Sequence, residues 1–448
     1  MKKWISISLA GLLLVLVTVY FALPQIQPCA LLSRVLPLYL LPPNPNVADL
    51  AFTPLPEARA VIGERACSGY RMEIPKRWNG DLVVYAHGFR GATPTLTVTN
   101  LPVRQAAIRQ GFAWAASSYR ANGFNPHDGI DDTLLLIDEF KKKIGTPKRT
   151  FVYGSSMGAF VVVDALERHS DIYSGGVSEC GMQAGAGQLD YILSVNALAD
   201  YLAGVDMYAN AHKGWKAQRA LLDREIYPKL GAPPDYVFDE STLTGQVLAP
   251  PQIALTPRGE ALRNAEILLG GGHRPFAHEG FAAAYKLLFE PTRALYAFEQ
   301  SAVTAGTNVS AQYEIDPGFV VTAGELKTGV RRIQADAAER ALFTFTGKLR
   351  APLLTIQDTG DLFVPLLNAQ EYGRLATSAG TGHLLVQRAI RRFLHCDFTQ
   401  AERDRAFNDL VEWVRSGRKP QGEDLSGSLK DIGRQWTDPL RPDDPGRN

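Results

Sequence analysis

Short apolar runs alternate with amphipathic segments between residues 67 and 181. Most of the apolar runs carry no charge, which is typical of strands buried on both faces of a parallel sheet. The amphipathic segments have the length and period of surface helices. The strands are predicted at Tyr70–Ile74, Leu82–Ala86, Phe112–Ala116, Thr150–Tyr153 and Ser174–Glu179, and the helices at Pro102–Gln110, Asp131–Lys143 and after Met157. This βαβ series predicts an α/β fold with a doubly wound, mostly parallel sheet.

The alternation stops at residue 182 and resumes near residue 350. Residues 182–349 contain helical runs separated by Pro- and Gly-rich pieces, and they are too numerous for a loop. We predict a large, mostly helical cap inserted into the sheet domain, with an independent domain as the alternative. The cap helices are predicted at Tyr191–Ala203, Trp215–Tyr227 and Gly280–Leu288. The sheet resumes with strands at Ala351–Gln357 and His383–Ile390 and helices at Leu366–Thr377 and Gln400–Arg415.

The two ends of the chain differ from this core, which we assign to residues 67–181 and 350–417. Residues 1–23 consist of Met1, two lysines and then twenty uncharged, mostly apolar residues. A helix of that length spans a bilayer, so we expect a membrane anchor or a cleaved signal peptide, and an exported protein in either case. Residues 24–66 are rich in proline and are predicted to be a linker. Residues 418–448 are polar, and we expect a disordered tail.

Composition narrows the functional classes. The chain has 448 residues, 46% of them hydrophobic, and a net charge of +1. A nearly neutral chain has no electrostatic footprint for nucleic acid. The eight histidines are scattered, and neither His-Glu-x-x-His nor Cys-x-x-Cys occurs. We therefore expect no metal site, and we find no motif for a redox or nucleotide cofactor.

The strongest motif is a Gly-x-Ser-x-Gly pentapeptide, residues 154–158, between a predicted strand and a predicted helix. A serine on such a tight turn is pushed away from the backbone, so its Oγ can attack a carbonyl. The flanking positions must be small because strand and helix pass close together. The turn also ends at a helix N-terminus, whose free N–H groups can stabilise an oxyanion. The hypothesis is that Ser156 is a nucleophile.

Partners for this serine follow later in the chain. A serine hydroxyl needs an imidazole to accept its proton and a carboxylate to orient that imidazole. Asp361 and His395 each come after a predicted strand, in the order Ser, Asp, His. Asp358 is the alternative acid, and its other interpretation is a turn residue.

With these pieces the sequence resembles the α/β-hydrolase superfamily of serine hydrolases. The resemblance covers residues 67–417 apart from the insertion, and rests on the Ser turn, on His87-Gly88-Phe89, on residues 359–365 and on Leu394-His395-Cys396. It implies that Ser156, Asp361 and His395 form a catalytic triad. It also implies an oxyanion hole from the backbone N–H groups of Met157 and Phe89. His87 and Ser155 are predicted to line the substrate site.

A cysteine directly after the base, Cys396, also resembles the tannase and feruloyl esterase group. In that group a partner cysteine precedes the nucleophile, whereas this chain has Ser155 there. Cys180 ends the strand after the nucleophile helix. We therefore hypothesise a Cys180–Cys396 bridge, with Cys29–Cys67 as the second pair.

The resulting expectation is an exported or membrane-anchored hydrolase that cleaves small carboxylic esters through an acyl-enzyme. One alternative is a peptidase or amidase of the prolyl-oligopeptidase type on the same fold. Another is a non-catalytic binding protein that retains the fold. The sequence leaves the substrate, the subfamily and the oligomeric state open.

Overall fold

Eight strands form a mostly parallel β-sheet in the computed structural model of the chain. The structure describes residues 29, 36–38, 41, 43–91, 93–207, 214–233, 252–285, 323–442 and 444. The strands are β1 Ala58–Arg65, β2 Ser68–Pro75, β3 Asp81–Ala86, β4 Ala113–Ser117, β5 Arg149–Ser155, β6 Tyr173–Glu179, β7 Leu353–Asp358 and β8 Leu385–Ile390. The predicted fold class is confirmed.

Two compact units make up the chain, Met1–Lys148 and Arg149–Asn448. In the first unit the strand order is β1-β2-β4-β3. The pairs β1–β2 and β2–β4 are antiparallel, and β3–β4 is parallel. Strands β3 and β4 are buried along their whole length, as their uninterrupted apolar sequences predict. The helices of this unit are α1 Arg104–Arg109 and α2 Pro126–Lys143.

Strand β1 lies inside the segment predicted to be a linker, residues 24–66. Its residues are half-buried or exposed, and it is the edge strand of the sheet. Edge strands commonly carry charges, which keep them from pairing with other chains. Its sequence, Ala-Arg-Ala-Val-Ile-Gly-Glu-Arg, therefore lacks the clean apolar alternation that would have revealed it.

In the second unit the strand order is β5-β6-β7-β8, and every pair is parallel. The carboxyl ends of parallel strands meet at one edge of a sheet, where ligands of α/β folds bind. The loops after β5, β6, β7 and β8 therefore start at the same edge. The helices are α3 Gly158–Arg168, α4 Ala186–Ala203, α5 Gly214–Leu221, α6 Tyr227–Leu230, α7 Pro257–Leu269, α8 Ala323–Gly329, α9 Ala337–Leu342, α10 Leu367–Ser378 and α11 Gln400–Ser416.

The insertion is helical in its described residues. Helices α4 to α9 belong to it, and residues 277–285 are also helical. The end of the helix predicted at Gly280–Leu288 lies outside the described residues. An apolar cluster joins α4, α7 and residues 277–285, with Leu198, Leu262 and Phe281 among its fully buried members. The same cluster includes Leu362 of the loop after β7, so the insertion shares this hydrophobic core with the sheet domain.

The expectation of a disordered tail is wrong for residues 418–442 and 444. Leu425 and Ile432 are buried against α10 and β8. The guanidinium of Arg388 lies 3.8 Å from the centroid of the Trp436 ring, and a fully buried ion pair joins Arg391 to Asp444. A few apolar and charged anchors hold a segment whose overall composition is polar.

The predicted membrane anchor also requires correction. In the part of the chain that the structure describes, no helix has both the length and the apolar character needed to cross a bilayer. That finding contradicts the transmembrane helix and the membrane partner expected from the sequence. The segment on which the prediction was made, residues 1–23, lies outside the described residues.

Both hypothesised disulfides are present. Cys29 is bonded to Cys67, and Cys180 is bonded to Cys396. Disulfides form and persist in oxidising compartments such as the periplasm and the extracellular space. The two bridges therefore favour an exported protein, as expected from the sequence.

Candidate active site

Ser156 occupies a strained turn between β5 and α3. Its φ is 55°, in the left-handed region that residues other than glycine rarely adopt. Helix α3 begins two residues later, with Met157 at its N-cap. A Cβ at Gly154 would lie 2.4 Å from the carbonyl oxygen of Gly158, so only glycine allows this close approach of strand and helix. The chain therefore forms the tight strand-to-helix turn that the Gly-x-Ser-x-Gly motif predicts.

The imidazole of His395 connects Ser156 to Asp361. Its Nε2 lies 2.8 Å from Ser156 Oγ, and its Nδ1 lies 2.6 Å from Asp361 Oδ2. The three residues are 7%, 8% and 1% exposed, respectively. The ring of Phe363 packs edge-on against His395, with 5.2 Å between the centroids. The residues predicted to form a triad are therefore in contact, and largely shielded from water.

Backbone N–H groups orient the carboxylate of Asp361. Phe363 N and Val364 N donate to Asp361 Oδ1 at 2.8 and 3.0 Å. That arrangement leaves Oδ2 directed to the imidazole. Asp358, the alternative acid, is fully buried at the end of β7, and burial raises the pKa of its carboxyl well above the ordinary value. Asp361, and not Asp358, is the carboxylate in contact with the imidazole, so the geometry favours Asp361.

Residues of the insertion hold the loop that carries Asp361. The hydroxyl of Tyr191 donates to Leu362 O at 2.6 Å, and Gln188 Nε2 donates to Phe363 O at 2.8 Å. Arg274, which is buried, donates to Thr359 O and to Asp361 O. The acid loop is therefore fixed by helix α4 and by the turn after α7, and not only by its own strand.

The loop after β8 carries His395 and is tied covalently to the end of β6. Cys396 follows His395 directly, and its partner Cys180 follows the last residue of β6. Both cysteines have positive φ, 59° and 45°. Sulfur atoms of these cysteines and a ring nitrogen of His395 lie within 4.8 Å of one another. A cysteine binds a metal as its thiolate, and here both sulfurs are engaged in the disulfide, so these three residues do not form a metal site.

The other residues predicted for the site have different surroundings. Met157 is buried at the N-cap of α3. Phe89, half-buried, follows β3 in the first unit. His87, also in the first unit, stacks on Tyr119 with 3.9 Å between the ring centroids, and burial lowers its pKa well below the ordinary value. The hydroxyl of Ser155 is turned to Glu179 Oε1, at 2.6 Å.

Sequence inspection missed two charged residues next to this site, Glu179 and Arg403. Glu179 is 2% exposed at the end of β6, and Arg403 lies on α11 with its guanidinium 2.9 Å from the Glu179 carboxylate. A signal was present, because Glu179 ends a strand of otherwise uncharged residues directly before Cys180. Charged residues are rarely buried unless they are paired.

The order of these features along the chain is diagnostic. The serine follows β5, the aspartate follows β7 and the histidine follows β8 of a mostly parallel sheet. A Ser, Asp, His order with the serine on a strained strand-to-helix turn is typical of the α/β-hydrolase fold. The described strands, helices and turn have this fold.

Comparisons with known proteins find only distant similarity for this chain. No protein-family model matches the chain. An o-phthalyl amidase from Xanthobacter agilis is 28% identical over 114 residues, which is 25% of this chain and 24% of the amidase. The chain therefore matches only about a quarter of the length of that curated relative.

Among solved structures, feruloyl esterase B from Aspergillus oryzae is similar at a TM-score of 0.46 and 15% identity, over 81% of both chains. An acylaminoacyl peptidase from Pyrococcus horikoshii is similar at a TM-score of 0.39 and 12% identity, over 82% of this chain and 43% of the peptidase.

Proposed function

We propose that the protein is a serine hydrolase that cleaves carboxylic esters through an acyl-enzyme. The observation that carries the proposal is the position of His395, within 2.8 Å of Ser156 Oγ and 2.6 Å of Asp361 Oδ2. A serine, an imidazole and an oriented carboxylate in this order are the machinery of acyl transfer. A binding protein has no need for all three.

In the proposed reaction, Ser156 Oγ attacks the ester carbonyl while His395 Nε2 accepts its proton. The tetrahedral intermediate then collapses, His395 returns the proton to the leaving alcohol, and the acyl group stays on Ser156. A water activated by the same imidazole hydrolyses the acyl-enzyme. Asp361 holds the proton on Nδ1 and stabilises the imidazolium, and the two backbone bonds to its Oδ1 keep it in that orientation.

The oxyanion of the intermediate requires fixed N–H donors. We assign these to the backbone N–H groups of Met157, at the start of α3, and of Phe89, after β3. We keep His87 as a residue that lines the substrate site. Its lowered pKa supports a neutral ring near pH 7, which fits a shaping role better than a charge-bearing one.

Amides are the second candidate substrate class. The o-phthalyl amidase with 28% identity over 114 residues favours them. The chemistry allows both, because the same acyl-enzyme forms whether an alcohol or an amine leaves. We further infer that the protein acts as a secreted or periplasmic enzyme, which the two disulfides support.

Fluorophosphonate labelling tests the nucleophile. The native protein should be labelled on Ser156, and Ser156→Ala should abolish labelling and lower ester hydrolysis by about 10⁴- to 10⁶-fold. Ser426→Ala is the matched control, because Ser426 is an exposed serine of the tail, and it should behave like the native protein. Near-full activity of Ser156→Ala would refute the proposal, and native protein that resists the probe would favour a binding protein.

A substrate panel separates the two classes. p-Nitrophenyl esters of increasing acyl length, compared with aminoacyl p-nitroanilides, should give higher kcat/KM for the esters. The opposite ranking would replace the ester assignment with an amidase or peptidase on the same nucleophile.

A further inference from the structure

A buried ion pair lies between the nucleophile turn and the loop that carries His395. Glu179, the last residue of β6, accepts hydrogen bonds on both carboxylate oxygens. Oε1 accepts from Ser155 Oγ at 2.6 Å, and Oε2 accepts from Tyr153 Oη at 2.7 Å and from Arg403 Nε at 2.9 Å. Its backbone oxygen accepts from Ser156 N at 3.0 Å.

The strand geometry explains why Glu179 contacts two residues of β5. Side chains two positions apart on a strand lie on the same face, so those of Tyr153 and Ser155 project together. In the register of β5 and β6, Ser155 lies opposite Glu179. The Glu179 carboxylate therefore binds the side chains at the C-terminal end of β5, directly before Ser156.

Arg403 carries the connection to the other side of the site. Its guanidinium donates to Phe398 O at 2.6 Å and to Cys396 O at 2.9 Å, in addition to Glu179. The side chain of Thr399 caps α11 and forms a capping box with Glu402, which fixes where the helix starts. Arg403 lies close to that cap, near the start of α11, and its guanidinium contacts the loop that carries His395.

The contact with Cys396 O concerns a strained residue. Cys396 has a φ of 59° and follows His395 directly. Left-handed conformations of residues other than glycine persist only when the surroundings hold them. The disulfide to Cys180 holds the side chain of Cys396, and the Arg403 guanidinium holds its carbonyl. The orientation of the preceding imidazole depends on both.

We propose that Glu179 and Arg403 are positioning residues that fix His395 relative to Ser156. The inference rests on the proposed function and adds two residues to its machinery. It also gives Ser155 a role in this chain of contacts in place of substrate binding. Stability alone accounts for the pair less well, because buried ion pairs can often be replaced by apolar residues without loss of stability. Glu179 raises the pKa of Arg403 above its ordinary value against the opposing effect of burial, so the guanidinium stays charged.

Two conservative variants test the proposal. Glu179→Gln removes the charge but keeps the shape, and Arg403→Lys keeps the charge but cannot bridge Glu179 and two carbonyls at once. Each should lower kcat by about ten- to a hundredfold, as small displacements of catalytic groups do, with KM within about twofold. The rate of fluorophosphonate labelling should fall in parallel. A role of charge alone would leave Arg403→Lys close to the native enzyme.

Asp409→Asn and Arg388→Lys are the matched controls. Their ion pair of 2.6 Å also joins α11 to the sheet, at β8. Both controls should keep the native kcat. The proposal is overturned if folded Glu179→Gln and Arg403→Lys keep kcat within about twofold, or if the controls lose as much. Should Glu179→Gln not fold, Arg403→Lys decides. An active Ser156→Ala would refute the proposed function itself, which is a separate outcome.

Discussion

The two disulfides should differ in what they contribute. Cys180 and Cys396 are 216 positions apart, and Cys29 and Cys67 are 38 positions apart. In the chain-entropy model, the stabilisation of the folded state by a disulfide grows with the logarithm of the number of residues in the loop that it closes. This gives about 5.4 kcal/mol for the longer loop and about 3.9 kcal/mol for the shorter one. Replacing both cysteines of a pair by serine should therefore cost about 1.5 kcal/mol more for the longer loop.

Catalysis separates the two bridges more sharply. The Cys180–Cys396 bridge holds the residue next to His395, whereas Cys29–Cys67 lies in the other unit. We expect the double serine variant of the first pair to lose stability and about tenfold or more in kcat, since a displaced imidazole accepts the serine proton less well. The double variant of the second pair should lose stability only.

Urea denaturation and ester hydrolysis at equal folded fraction measure the two effects. Thiol titration of the denatured, unreduced proteins verifies which bridge each variant retains. Two results would refute the reasoning. One is a greater loss of stability on removal of the Cys29–Cys67 bridge than on removal of the Cys180–Cys396 bridge. The other is a native kcat in the folded variant that lacks Cys180 and Cys396.

Two further predictions concern buried carboxyls. Asp361→Asn should lower kcat by about 10⁴-fold, because an amide does not stabilise the imidazolium, and kinetics within tenfold of the native enzyme would contradict the acid assignment. Burial raises the pKa of Glu266 well above its ordinary 4.5, so the folded state binds this proton more tightly than the unfolded state. Its contribution to stability is complete below about pH 4.5 and falls above it by up to about 1.4 kcal/mol per pH unit until the folded pKa is reached. Glu266→Gln should remove that fall in urea titrations between pH 4 and 8, and an unchanged slope would refute a raised pKa.

Local sequence was sufficient for the strands that are buried on both faces and for the nucleophile turn. Strands such as β3 and β4 are short, continuous apolar runs, which is the pattern that burial on both faces of a sheet imposes. The two glycines of the motif, Gly154 and Gly158, predict that strand and helix approach closely, and the structure has this close approach at Gly154. Asp361 and His395 followed from the order of residues after strands, which chain topology preserves.

Composition was a poor guide where a few residues hold a polar segment. The tail after residue 417 is polar on average, but Leu425, Ile432 and Trp436 are buried. Mean polarity predicts disorder only when a segment has too few apolar anchors to offset its ordering entropy. Here α10, β8 and Arg388 supply partners that are distant in sequence, so no local pattern could reveal them.

Backbone strain occurs at the candidate active site. Ser156, Cys180 and Cys396 all adopt positive φ, which residues other than glycine rarely do. Only Ser156 belongs to a recognisable sequence motif, whereas the two cysteines are bonded to each other and Cys396 O accepts from Arg403. Strained backbone persists where the surroundings over-determine it. The turn at Ser156 and the loop that carries His395 are thus held by one connected set of contacts through Glu179 and Arg403. Replacing any residue of this set should therefore change the distance between Ser156 Oγ and His395 Nε2.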